Sequence, residues 1–267
     1  LSLNGGIFNA ARALGPSLAG MLIASVGIAF AYFFNSISFL AVIVSLYLMK
    51  LPKHEEITTH SSFSTQLREG ATYIRKTPIV LVSLLLLAIL TAFTWPTNTL
   101  LPVFAHDIYK RGEVGFGMLQ SAFGIGAMIG AFGFSALFHA VKRKNILLGF
   151  SLLLVSVSTM LFSQVTNFYI ALLVLVLGGW SASTLIGVLN TTVQMHVPDI
   201  LRGRILSFYS LVLVGAMPIG AILSYVGVSV LGALETIGLC SLTFAGLSFS
   251  LLYLTRRVFY VQMKMMV

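Results

Sequence analysis

The chain has 267 residues, 58% of them hydrophobic and 9% charged, with a net charge of +9. Soluble domains carry about 25% charged residues, and no single core hides this much apolar surface, so a mean hydropathy of +0.99 makes the bilayer the solvent. The positive charge flanks apolar segments and forms no basic stripe interleaved with exposed aromatics. Nucleic acid is thereby excluded as partner, and the anionic headgroup layer is indicated.

A helix needs about 20 apolar residues to cross the hydrocarbon core. Eight segments qualify, at roughly 4–26, 29–49, 78–104, 115–138, 146–164, 168–194, 205–227 and 231–255. No ten-residue alternating pattern typical of barrels occurs, so the spans are helices. The first contains Arg12. An Arg at mid-membrane costs about 2.5–3.5 kcal/mol on insertion scales. It either faces a partner or a wet cavity, as a substrate-pathway residue, or snorkels to the nearer interface. Gly15-Pro16 and Gly20 follow. Small residues let a neighbouring helix approach, and Pro16 removes a backbone donor and can bend the span.

The stretch 50–77 is the one long polar gap. In it Phe63, Leu67 and Ile74 fall near helical spacing, with Arg68, Glu69, Arg75 and Lys76 on other faces. That spacing predicts a short amphipathic helix, lying on the membrane surface or solvated as a linker. Thr77 is placed to cap the third span, ahead of Pro78 at its first helical position. That span has a polar face of Thr91, Thr94 or Trp95, and Asn98, running toward Pro102. The fourth offers Gly117, Gln120, Gly124 and Ala131. The fifth, with Asn145 as its expected cap, and the eighth carry mostly Leu, Val, Phe and small hydroxyls. The sixth has Gly179 or Trp180, Ser183 or Thr184, Gly187, Asn190 or Thr191, and Gln194 at helical spacing. Asp199, after Pro198, is the expected cap of the seventh, which Arg202-Gly203-Arg204 opens although the helix dipole disfavours cations there. Polar stripes on three helices beside two bland ones suggest pathway-lining and lipid-facing helices respectively. Interhelical hydrogen bonding, at about 0.6 kcal/mol per contact, accounts equally well for any single residue.

Of the 16 Lys and Arg, 13 lie in alternate gaps. This sorting places those gaps and both chain ends on the cytoplasmic side of a plasma membrane. A faint repeat relates Gly15-Pro16, Gly20 and Gly27 in the first span to Pro218, Gly220 and Gly227 in the seventh, an offset of about 200 residues that suits six-span parallel repeats. Cys240 is alone, and His54, His60, His106, His139 and His196 lack metal-ligand spacing. Neither a nucleophile elbow nor a phosphate-binding glycine loop is present, so no cofactor is implied and an enzyme is disfavoured. A transporter and a non-transporting membrane scaffold or sensor remain.

Asn9 through Gly20, including Arg12, Gly15, Pro16 and Ala19, together with Phe34-Asn35 and Ser38-Phe39, resembles the fifth and sixth spans of the major facilitator superfamily. The similarity is greatest to the drug- and siderophore-exporter branch, which includes macrolide-efflux-like carriers. Val197-Pro198-Asp199 with Arg202-Gly203-Arg204, Ser207 and Tyr209 resembles that branch's loop between the tenth and eleventh spans. Leu101 to Ala105 resembles the outer end of its seventh span.

The resemblance implies an all-α membrane protein of the major facilitator fold, with eight transmembrane helices of an expected twelve. Residues 1–50 would be the last two spans of the N-terminal bundle, 51–77 a central cytoplasmic linker, 78–258 the C-terminal six-helix bundle and 259–267 a tail. The opening at Leu1 reads as an internal cut, and the preceding spans become expected partners. It further implies a bacterial exporter of small amphipathic molecules that works by alternating access, with the proton as coupling ion. Arg12, Thr91, Trp95, Asn98, Gln120, Asn190 and Thr191 are the pathway candidates. Gly15, Pro16 and Gly20 resemble an antiporter signature, and Asp199, Arg202, Gly203 and Arg204 would form an inner-face latch. The family's glycine-aspartate-arginine loop has here only the echo of Gly133 and His139 to Asn145, without the Asp.

Overall fold

A computed structural model describes residues 25–49, 63–140 and 144–264, with positions 19, 22 and 23 before them. Every described element is a helix. The expected first span therefore lies almost wholly outside the described residues, and Arg12, Gly15, Pro16 and Gly20 with it. The elements are α1 (Ile28–Leu48), α2 (Phe63–Lys76), α3 (Pro78–Val103), α4 (Gly112–Ala140), α5 (Lys144–Gln164), α6 (Phe168–Met195), α7 (Asp199–Gly215), α8 (Met217–Leu231) and α9 (Ala233–Lys264). A π-helical turn, Phe104–Ile108, extends α3. Among the described residues seven paths are long and apolar enough to cross a membrane, α7 and α8 together making one of them. The last helix continues past the expected end of its span to Lys264.

The helix ends correct three expected caps. Thr77 holds the N-cap position of α3 but makes no side-chain cap bond; its carbonyl instead accepts from Val80 and Leu81 at 3.0 and 3.1 Å. Asn145 falls inside α5, which begins one residue earlier. Asp199 is the first helical residue of α7 rather than its cap, where its charge favours the positive end of the helix dipole. Among the described residues a side-chain cap does form at Asn167 of α6, which accepts from Tyr169 and Ile170 N–H.

From α3 to α9 the spans pack around two apolar clusters. One, toward the basic end, joins Ile79, Leu86, Leu87, Leu148, Leu152, Leu185, Val188, Ile205 and Phe244. The other, toward the opposite end, joins Leu101, Phe104, Leu119, Phe162, Phe168 and Ile237. There Phe104 stacks on Phe162 at 4.7 Å, and the Tyr109 hydroxyl donates to Val165 O at 2.8 Å. Burial pushes the Tyr109 phenol up to about 12.

Lipid tails are as apolar as Leu, so the hydrophobic effect does not drive these helices together, and close backbone packing takes its place. Helices α4 and α6 show this most clearly. A Cβ on Gly126 would lie 1.9 Å from Val176 O, and one on Gly179 would lie 2.0 Å from Phe123 O. No side chain fits at either position.

Two elements depart from the sequence reading. Helix α5, bland in sequence, is an interior helix as much as α3 is: 56% of the apolar window of each is buried, against 17% across α7 and α8 and none in α1. Helix α2 does not lie loose. Ile74 is buried, Gly70 sits under the Phe208 ring, and the Tyr73 hydroxyl reaches His196 O at 2.5 Å. The linker helix is thus docked on the start of α7.

The seventh predicted span is two helices. It begins at Asp199 and breaks at Ala216, just before Met217-Pro218. Pro218 has no N–H to continue the ladder and fits best in a first helical turn. The turn geometry suggests a different register from the sequence repeat, an offset of 205 that sets Gly20 against Tyr225 and not Gly220. Gly27 (φ 87, ψ 165) and Gly232 (φ 96, ψ 169) share a left-handed turn that starts the next helix. Gly15 and Gly220 stand equally far before them in sequence.

Candidate functional site

The polar residues singled out on α3 separate into two environments. Thr91 is buried. Trp95 is half-buried against α8, where a Cβ on Gly220 would come within 2.6 Å of the Trp95 Cβ and 2.8 Å of Ala92 O. Asn98 turns the other way, into a small cavity of about 30 Å³ between α3, α5 and α6 that Thr94, Thr97, Ser158 and Thr159 also line. Thr94 and Ser158 donate to carbonyls of their own helices, Leu90 O at 2.7 Å and Val155 O at 3.0 Å. The Thr97 hydroxyl is buried without a hydrogen-bond partner among the described residues. This is a mostly apolar pocket inside one bundle, with a few hydroxyls and one amide set among Phe123, Phe162 and Leu175.

Helix α6 presents a different face. Thr184, Leu185, Val188 and Thr192 are buried inward. Ser183, Gly187, Asn190, Thr191 and Gln194 are half-buried, and their i, i+4, i+7, i+8 and i+11 spacing aligns them on one stripe. Gln194 Nε2 donates to Asn190 Oδ1. Across the gap Tyr209 of α7 donates to Ile186 O at 3.2 Å, and the Asn190 side chain lies in hydrogen-bond reach of the same phenol. The stripe is therefore a preformed set of amide and hydroxyl groups, suited to orienting a mostly apolar ligand. On α4, Gln120 is half-buried among the buried Gly117, Leu119 and Ser121.

The expected latch residues lie at the basic end. Arg202 Nη2 lies 2.7 Å from Asp199 Oδ1, and both side chains are well exposed. Gly203 is exposed, with open space where a Cβ would stand. Arg204 pairs with Glu69 of α2. Thus the Arg-Gly-Arg run splits, one arginine closing on its own helix and the other holding the linker helix. Sequence reasoning passed over Tyr73, Thr97 and Ser158, and named Glu69 and Tyr209 without giving either a site role. A carboxylate beside Arg68 on the polar gap's helix is the only local hint of Glu69. Tyr209 had a signal, since the resemblance included it.

Residues 1–257 match the family model described as transmembrane secretion effector, a major facilitator family. The chain belongs to that family. Its described apolar helices fit a multi-pass membrane protein of this transporter family. Among curated relatives it is 22% identical over 224 residues to the multidrug efflux pump Tap of Mycolicibacterium fortuitum, covering 82% of this chain and 54% of that protein. It is 28% identical over 211 residues to the enterobactin exporter EntS of Escherichia coli O1:K1, covering 79% of this chain and 50% of that protein. Against the uncharacterized MFS-type transporter YuxJ of Bacillus subtilis the identity is 25% over 199 residues, with 73% and 50% covered. The chain spans about half the length of the curated relatives it matches.

Proposed function

We propose that this major facilitator protein is a secondary active exporter of small amphipathic organic molecules, of the drug, macrolide or siderophore kind. It would work by alternating access in a bacterial plasma membrane, with the basic end of the bundle cytoplasmic and the proton as coupling ion. The observation that carries the reading is the half-buried stripe on α6. Asn190, Thr191 and Gln194 offer a few fixed polar groups on an otherwise apolar wall, which is how drug-sized ligands are held. The activities of two relatives, a multidrug efflux pump and an enterobactin exporter, bracket the substrate class. The broken path through α7 and α8 and the prolines of α3 supply helices able to bend. In this reading Arg202 and Arg204 act at the inner face, Arg204 through Glu69 of the linker helix.

The test is accumulation in cells that lack their own efflux pumps and express the carrier. The panel should contain a lipophilic cationic dye, a macrolide and a catecholate siderophore. Reduced accumulation of at least one compound, lost in Asn190→Leu at equal protein abundance, is expected. Unchanged accumulation of every compound would remove the exporter reading in favour of a non-transporting scaffold.

A further inference from the structure

Docking of α2 onto α7 leaves a charged groove. Gly70, Tyr73 and Ile74 make the contacts with the bundle. Thr65, Arg68, Thr72 and Lys76 follow at i, i+3, i+7 and i+11, all exposed. They form one side of an open groove of about 470 Å³, completed by Glu69, Tyr73 and Leu201. We propose that this groove seats the headgroup of an anionic phospholipid, with the phosphodiester between Arg68 and Lys76.

Three features support that occupant. The first is charge. Glu69, the one carboxylate lining the groove, is held by Arg204, and Asp199 nearby is held by Arg202. Among the described residues Arg68 and Lys76 have no acidic partner within salt-bridge distance, so no described carboxylate compensates them. The second is depth. Lys76 is the last residue of α2, and Pro78 two residues on begins a span, so the groove opens where a headgroup layer meets the hydrocarbon. The third is apolar flanking surface. Leu201 lines the groove, Ile200 beside it is 86% exposed, and Leu67 on α2 is 42% exposed. A free anion has no use for such surface, whereas a lipid lays its glycerol and first methylenes there. Basic pockets at the ends of membrane helices bind anionic headgroups by this combination. The proposal needs only the spans and the docked α2, and it does not rest on what the carrier moves.

Native mass spectrometry of the full chain in mild detergent tests it, with phosphatidylglycerol and phosphatidylcholine offered in equal amounts. One tightly retained phosphatidylglycerol per chain is expected. Arg68→Gln combined with Lys76→Gln should weaken its retention by about tenfold or more, since each basic residue near an anionic surface contributes comparably. Lys110→Gln, at the opposite end of the bundle, should leave it unchanged. Arg68→Lys with Lys76→Arg keeps both charges and should keep the lipid, which separates lost binding from lost folding. Equal retention of phosphatidylcholine, or a Gln double variant that holds phosphatidylglycerol as the parent does, overturns the proposal. Displacement of the lipid by inorganic phosphate as readily as by short-chain phosphatidylglycerol assigns the groove to a free anion and overturns it too.

Discussion

The polar faces of α3 and α6 look alike as sequence and end in different places. Both place hydroxyls and amides at helical spacing along an apolar span. On α3 the stripe is divided: Trp95 packs on Gly220 of α8, while Thr94, Thr97 and Asn98 close around a pocket inside the bundle. On α6 it stays together and half-open, tied by Gln194 to Asn190 and reaching Tyr209. A polar residue in a span must avoid lipid, but it can do so by turning to a neighbouring helix or to a cavity. Periodicity reports the avoidance and not the choice. The choice is made by the glycines that fix how near the neighbours come.

The largest effect is expected where that closeness is set. Gly126→Ala forces a Cβ against the Val176 carbonyl, and overpacking of this kind costs about 3 kcal/mol. It should appear as a large drop in melting temperature in detergent, with loss of folded protein in membranes. A melting temperature like the parent's would show that α4 and α6 do not pack this closely.

Asn190→Leu should lower transport by about tenfold at nearly unchanged thermal stability. Asn98→Leu should do the reverse, lowering stability while transport per folded molecule holds. The opposite pattern in a paired measurement would exchange the roles of the two faces.

Thr97→Val removes a buried hydroxyl that has no partner among the described residues. Because an unsatisfied buried polar group costs about 1–3 kcal/mol, the variant should melt higher, by the equivalent of about 1 kcal/mol. A lower melting temperature would mean that the hydroxyl is satisfied.

The smallest effect concerns the far end of α3. The Tyr109 phenol is raised to about 12 in the folded chain from an ordinary 10.0, so folding favours its neutral form. That contribution is complete below pH 10 and is lost as pH rises toward 12. Tyr109→Phe should flatten this part of the alkaline stability profile. An unaltered profile would show that the ring's burial does not couple to its ionisation.

Apolar length was enough to locate seven membrane paths among the described residues, because the bilayer sets a minimum apolar length, although the paths run from 20 to 33 residues and one begins at Asp199 where residue 205 was expected. Helix ends were less legible. A capping hydroxyl at Thr77 and a carboxylate at Asp199 stood in suitable positions, yet the first leaves the role to its carbonyl and the second turns to Arg202. Pro218 was visible, but a proline in a span allows either a kink or a full break, and the choice depends on whether neighbours hold each half. The pairing of Glu69 with Arg204 joins residues 135 apart, a contact no local spacing announces. The same holds for the Gly126 and Gly179 approach, where the informative quantity is the distance to another helix's backbone.

Helices α7 and α8, on either side of Ala216, both pack on α3, but each also has a fastening of its own. Helix α7 is fastened to the linker helix through Arg204 and Phe208, while α8 is fastened to α3 through Gly220. An unbroken rod of 33 residues, about 50 Å long at 1.5 Å per residue, would carry any tilt at one membrane face straight to the other. The interruption at Ala216 divides that length into helices of 17 and 15 residues, each short of a full crossing on its own.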